Sequence, residues 1–206
     1  YMLKKVLAEQ LPGTAVAFSK LNEHLPTEDD ILRKADKNSN TTGAEFLGMS
    51  TENSEVKDHK SLLEAAVAGN LSALVVISHD PVGLPAVYGR GWSKALDKVP
   101  FKVFIGTNEN ETSRTADVVL PLASFAENEG TITNFAGRVQ LLHRAFDPLG
   151  DSLGGWKLLA RLGNALGGDY DFHSAEDVFD ELTTKETKFA GLTYETIGDL
   201  GVKVNG

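Results

Sequence analysis

Leu74-Val75-Val76-Ile77 is the stretch that narrows the possible folds most. Side chains alternate in direction along a strand, so four consecutive apolar residues oblige both faces of that strand to be kept from water. Such a strand belongs in a parallel sheet between helix layers. Lys102-Val103-Phe104-Ile105 has the same character, and Val118-Val119-Leu120 repeats it before Pro121, which has no N–H to give a ladder. Between these runs lie helical patterns. Residues 61–68 carry Leu62, Leu63, Ala66 and Val67 on one side and stop at Gly69-Asn70, and residues 86–98 predict a second helix weakened by Gly89 and Gly91. Strand, loop and helix alternating every 25 to 30 residues or so predict an α/β fold, doubly wound, with a mostly parallel sheet.

Leu3, Val6, Leu7 and Leu11 predict an opening helix, ended by Pro12-Gly13, and Ala15-Val16-Ala17-Phe18 predicts a buried strand. Thr27-Glu28-Asp29-Asp30 looks like a helix start running on through Ile31 and Leu32. Residues 38–42 read as a polar loop, 43–49 as a short apolar patch and 50–60 as charged and shapeless. After Leu120 an acidic turn leads to Gly130, followed by two alternating runs around Gly137, a hairpin-like ribbon. Trp156, Leu159 and Leu162 mark a helix closed by Gly167-Gly168, and Ser174-Ala175-Glu176-Asp177 is a capping box opening another through Val178, Phe179 and Leu182. The expected division is a Rossmann-like domain over 1–147, ending in the ribbon, with a helical extension over 148–206 packed on it.

Charge and composition exclude several classes. A net charge of −9 is wrong for nucleic acid or for a polybasic membrane contact, both of which need a basic face. No apolar run reaches the roughly 20 residues of a spanning helix, and no signal peptide is visible. With no cysteine, these residues hold no thiolate nucleophile and no cysteine-ligated cluster. His24, His59, His79, His143 and His173 are scattered without metal-ligand spacing, so no metal site is expected.

Ser78-His79-Asp80 has the residues of a catalytic triad, but neighbours on an extended segment point to opposite faces. Gly89-Arg90-Gly91 follows Pro85 rather than a strand and lacks the third glycine of a dinucleotide loop. Glu127 and Glu129 suit a solvated acidic face. The loops that matter in a doubly wound sheet are those at the carboxyl ends of its strands: Ser78 to Pro81, Gly106 to Glu109 and the turn after Leu120. Asn134, Arg138 and Gln140 recur at even spacing, a row of donors on one side of the ribbon that suits phosphate, carboxylate, backbone carbonyls or a buried contact between domains. No catalytic residue is expected.

Ala116-Asp117-Val118-Val119-Leu120-Pro121, then Glu127-x-x-Gly130-Thr131 and Asn134-x-x-Gly137-Arg138-x-Gln140, resemble the signature of the molybdopterin oxidoreductase superfamily. Asn40-x-x-Gly43-Ala44, the Leu74 strand with its Asp-Pro loop, the Trp156 helix and Tyr194-Glu195 extend the likeness over roughly residues 38 to 200. It is most like the large iron–sulfur subunit, the G chain, of respiratory NADH–quinone oxidoreductase (NADH dehydrogenase), with formate dehydrogenase as the rival. The resemblance implies a fold of the formate dehydrogenase and dimethylsulfoxide reductase type, and a carboxyl-terminal fragment of a longer chain. As part of the G chain, this fragment would be a scaffold in the respiratory complex, partnered by its own chain and other subunits. It would lie in the cytoplasm against the inner membrane, hold no cofactor, and have its iron–sulfur clusters elsewhere. In the rival reading its loops grip molybdopterin guanine dinucleotide, with Asp80, Thr107, Asp117 and Asn134 nearest the ligand. The sequence departs from the common family pattern in carrying Ser78-His79-Asp80-Pro81 for Gly-x-Asn-Pro, and Ala136 where a glutamate is frequent.

Overall fold

The computed structural model describes residues 1–18, 28–29, 31–34, 36, 38–49 and 58–204. Its elements are α1 (Met2–Gln10), α2 (Thr41–Phe46), α3 (His59–Val67), β1 (Ala73–Ile77), α4 (Pro85–Tyr88), α5 (Trp92–Leu96), β2 (Phe101–Gly106) and β3 (Val118–Pro121). There follow β4 (Gly130–Thr133), β5 (Arg138–Leu142), α6 (Gly155–Ala165), α7 (Ala175–Lys185), α8 (Tyr194–Ile197) and β6 (Val202–Lys203). The chain adopts the expected α/β class. One sheet is parallel, in the order β1-β2-β3; the second is antiparallel, in the order β4-β5-β6.

The parallel sheet is built as its sequence requires, with one difference. Leu74 is buried and Val76 packs beside it against Ala66 of α3, Tyr88 of α4 and Trp92, Ala95 and Leu96 of α5. Asp58 starts α3 by accepting the Ser61 N–H at 2.8 Å, and the Ser61 hydroxyl accepts the Asp58 N–H in return, so the "shapeless" stretch ends in a capping box. On the opposite face, however, Val75, Phe101 and Val118 are all exposed. The cover expected on both sides is partial in the described residues: Ile105 on this face is buried, and Val119 on the Leu74 face is exposed.

The second sheet gathers the carboxyl-terminal helices. Val139 of β5 is fully buried with Leu47, Phe179, Leu182, Phe189 and Ile197. Along α6 and α1 runs another apolar cluster of Met2, Val6, Ala160, Tyr170 and Val178. Met2 and Val6 thus carry the opening helix inward, whereas Leu11, also assigned to its apolar side, is exposed. Residues 14–18 form no strand and are at most half-buried, because no strand among the described residues pairs with them. The helix start predicted at Thr27 lies mostly outside the described residues. Asp29 does accept the N–H groups of Ile31, Leu32 and Arg33 from one carboxylate oxygen, but residues 31–34 are not helical.

Residues 41–46, read as loop and apolar patch, form α2 instead. Asn40 precedes it and spends its side chain elsewhere: Oδ1 accepts the Thr133 N–H of β4 at 2.8 Å. A Cβ on Gly43 would stand 2.4 Å from that same oxygen. The Asn-x-x-Gly spacing is therefore a backbone clasp between α2 and the ribbon.

Candidate functional site

The carboxyl ends of β1 and β2 are tied to each other by Asp80 and Thr112. Asp80 Oδ1 accepts the Thr112 hydroxyl at 2.6 Å, the Thr112 N–H at 3.0 Å and the Gly83 N–H at 3.0 Å. Thr112 Oγ1 in turn accepts the Val82 N–H at 3.1 Å. Burial works against ionisation of Asp80, but the hydrogen bonds from Thr112 and Gly83 outweigh it and hold the carboxyl below its usual range. Gly83 is required here, since its Cβ would fall 2.1 Å from Asp80 Oδ2. Asp80 is thus committed to the protein's own loops.

Ser78, which leaves β1, has φ +55°, alone among the described non-glycine residues in having positive φ. A serine is strained in this left-handed conformation, which glycine adopts freely. His79 next to it meets the phenol of buried Tyr88, Nδ1 to oxygen 2.5 Å. Burial, then the charge of Asp80, push the Tyr88 phenol up to about 12, so it is neutral and donates. Burial, then the charge of His59, lower the pKa of His79, so its Nδ1 accepts. Ser78, His79 and Asp80 have separate partners and form no triad.

Beyond β2, an open cavity of about 400 Å³ lies over the ends of β2 and β3, lined by Phe104, Gly106, Thr107, Asn108, Glu109, Ser113, Arg114, Val119 and Pro121. Its floor depends on Gly106, where a Cβ would stand 2.4 Å from the Phe104 ring. Thr107 and Asn108 are exposed at its rim, with the Asn108 amide donating to the Thr107 hydroxyl at 3.1 Å. Among the described residues that line it, the one cation is engaged: Arg114 donates to Glu109 at 2.8 Å and to Glu111. Asn110 and Ser113 hold the turn behind it, exchanging bonds of 2.8 Å.

The sequence-derived residues do not converge. Thr107 lies at this cavity and Asp80 behind it. Asp117 precedes β3 and sits at the opposite end of the sheet, where its carboxylate accepts the Lys102 N–H at 2.7 Å and pairs with Lys102 Nζ at 3.1 Å. Asn134 is in the other sheet, at the ribbon's turn. Its Oδ1 accepts the N–H groups of Ala136 and Arg138, and its amide donates to Gln140 at 3.3 Å. The guanidinium of Arg138 leaves that pair and donates to the carbonyls of Gly201 at 2.7 Å and Leu200 at 3.3 Å. Gly137 completes this arrangement: its carbonyl accepts the Val204 N–H, and a Cβ on it would lie 2.9 Å from the Val204 oxygen. Glu127 is no solvated acid either, because its two oxygens accept the N–H groups of Ser124 and Leu149.

Comparison with known proteins matches residues 10–165 to the model of the molybdopterin oxidoreductase family. The chain belongs to that family. Among its relatives are the F420-dependent formate dehydrogenase subunit alpha of Methanocaldococcus jannaschii, 36% identical over 131 residues (62% of this chain, 19% of the relative). The F420-dependent formate dehydrogenase 2 subunit alpha of Methanococcus maripaludis is 35% identical over 132 residues (63% and 19%). Among solved structures, acetylene hydratase from Pelobacter acetylenicus aligns with a TM-score of 0.49 and 16% identity over 68% of this chain and 20% of that one. The chain thus spans about a fifth of the length of the curated relatives it matches. In this family member no helix among the described residues is long and apolar enough to cross a membrane.

The residues that sequence reasoning missed are Thr112 and Tyr88. Thr112 is signalled only by being a hydroxyl in the loop after an apolar strand; Gly106 opens one of the loops singled out from the sequence, which does not announce its role as the cavity floor.

Proposed function

We propose that the chain is part of a molybdopterin-dependent oxidoreductase of formate dehydrogenase type, and that its cavity over β2 and β3 seats the nucleoside end of the cofactor. The observation that carries this is the cavity's place at the carboxyl ends of parallel strands, with a glycine floor and two exposed polar side chains at its rim. The donor set fits a base or ribose: Thr107 and Asn108 offer hydroxyl and amide, Glu109 a carboxylate, Phe104 an apolar surface. It does not fit a pyrophosphate, since Arg114 is already neutralised by Glu109 and Glu111. Thr107, Asn108 and Glu109 would bind and orient the nucleoside, Asp80 would hold their loop through Thr112, and Asp117 and Asn134 would act at a distance, through the sheet and the ribbon. The bound cofactor carries the metal and its redox chemistry.

The rival is a cofactor-free scaffold of the NADH–quinone oxidoreductase G chain, beside the inner membrane. Relatives named as formate dehydrogenase subunits favour the first reading. The test is metal and nucleotide analysis of the full-length polypeptide purified from its host. Stoichiometric molybdenum or tungsten with releasable guanine nucleotide is expected, and Asn108→Ala should lower nucleotide retention at unchanged iron content. Full iron content with neither metal nor nucleotide would establish the scaffold instead.

A further inference from the structure

At the rim of the cavity over β2 and β3, a cation is held only by contacts that face water. Of the described residues lining that cavity, Glu109 and Arg114 are the charged ones. Arg114 Nε donates to Glu109 at 2.8 Å and Nη1 donates to Glu111, so two carboxylates share one guanidinium. All three side chains are more than half exposed: Arg114 at 56%, Glu109 at 70% and Glu111 at 58%. Ion pairs this open to solvent are weak and exchange readily. The backbone beneath them is fixed by other means. The Ser113 hydroxyl accepts the Asn110 N–H and donates to the Asn110 carbonyl, both at 2.8 Å, and the Arg114 N–H donates to that carbonyl at 3.2 Å. The guanidinium can therefore change partners while its backbone stays in place.

We infer that Arg114 is a latched phosphate clamp, which turns to the pyrophosphate of the cofactor only once the base has engaged Glu109. The inference rests on the seating of a nucleoside in this cavity. While both carboxylates hold Arg114, the three side chains sum to one negative charge, and a phosphate alone is repelled. No other described side chain lining the cavity is cationic, so the site as it stands has nothing to spare for a pyrophosphate. A guanine edge changes the balance. It presents two adjacent N–H donors, at N1 and the 2-amino group, which match the two oxygens of one carboxylate. Glu109, occupied by that edge, gives up Arg114 Nε, and the freed donors turn to an oxygen of the pyrophosphate carried by the same nucleoside. Arginine binds phosphate through charge-assisted, bidentate bonds, which outcompete an exposed carboxylate pair. Glu111 keeps its hold through Nη1 and sets how strongly the latch resists. Base and phosphate thus bind with positive coupling, each strengthening the other through Glu109 and Arg114.

Calorimetric titration of the full-length polypeptide, produced without cofactor, tests this with guanosine and inorganic pyrophosphate as probes. Pyrophosphate should bind about fivefold or more tightly when guanosine saturates the cavity than when guanosine is absent. Arg114→Gln should abolish that gain while guanosine still binds. Glu111→Gln, which loosens the latch from outside the cavity, should raise the affinity for pyrophosphate alone by about threefold. Equal pyrophosphate affinity with and without bound guanosine would overturn the inference, as would a gain that persists in Arg114→Gln. Either result would leave the seating of the nucleoside intact, since guanosine binding is measured separately. A wild-type polypeptide that binds no guanosine would remove the nucleoside from this cavity, and the latch with it.

Discussion

Thr112 sits between two loops that follow different strands: its hydroxyl donates to Asp80 at 2.6 Å while its oxygen accepts the Val82 N–H at 3.1 Å. With Thr112 only 2% exposed, both bonds are shielded from water. The loop beyond β1 and the loop beyond β2 are therefore fastened to each other. Substituting Asp80 by alanine strands the Thr112 and Gly83 N–H groups and should cost about 2 kcal/mol. At 2–4 °C per kcal/mol for a chain of this size, thermal unfolding should drop by about 4–8 °C. Asp80→Asn, which keeps an acceptor oxygen, should lose about half as much. Calorimetry of the two variants distinguishes them.

Acid should undo the same clasp. A carboxyl whose pKa is lower folded than unfolded contributes stability above the unfolded pKa and loses it as pH falls through the folded one. For Asp80 that contribution is complete above about pH 5 and declines below about pH 4. Urea unfolding between pH 6 and 3 should show a smaller decline in Asp80→Asn than in the wild type.

His79 predicts a second, higher window. Its pKa is lowered in the folded state, so the unfolded chain takes up a proton first as pH drops below about 6.5. Stability should fall from there until the folded imidazole also protonates and Tyr88 loses its acceptor. In His79→Gln the slope between pH 6.5 and 5 should be shallower, measured by the same unfolding series.

Ser78→Gly should stabilise the protein. Relief of a left-handed serine is worth about 1–2 kcal/mol, and the greater freedom of an unfolded glycine returns about 0.5–1 of it. A net gain near 0.5–1 kcal/mol is expected, and Ser78→Val should be destabilised by about 1–2 kcal/mol. Denaturant midpoints decide both.

Much of this fold could be read from apolar runs and stop signals. The β1, β2 and β3 runs, the capping box at Ser174 and the turn at Gly137 each state their structure locally, and each is where the sequence puts it. What could not be read depends on partners far along the chain. Ala15 to Phe18 has the composition of a strand but, among the described residues, no neighbour to pair with, and Val202-Lys203 has little strand character yet pairs with β5. Even spacing puts Asn134, Arg138 and Gln140 on one face of an extended ribbon; in the structure Asn134 donates to Gln140, but Arg138 answers to carbonyls some sixty residues away, and nothing local announces that. At the cavity, Thr107 was visible as a strand-end polar residue, whereas Thr112 acts through a contact with the preceding loop.

Arg138→Ala should leave β4 and β5 paired while freeing the segment at 200–204, because only the tail's bonds depend on the guanidinium. Amide exchange at Val202 and Val204 should accelerate by about tenfold, the equivalent of 1–1.5 kcal/mol. Arg138→Lys, with one donor head instead of a fork, should recover part of that protection.

Val139 pairs with Val202, and Gly137 with Val204, across more than sixty residues of intervening chain. On the ribosome the hairpin is made early and closed late. Until residue 204 has emerged, β5 presents a bare edge, and its neighbours offer the groove that α7 and α8 will fill. The nascent chain should therefore be open to mispairing and chaperone capture from the completion of β5 until residue 204 has emerged.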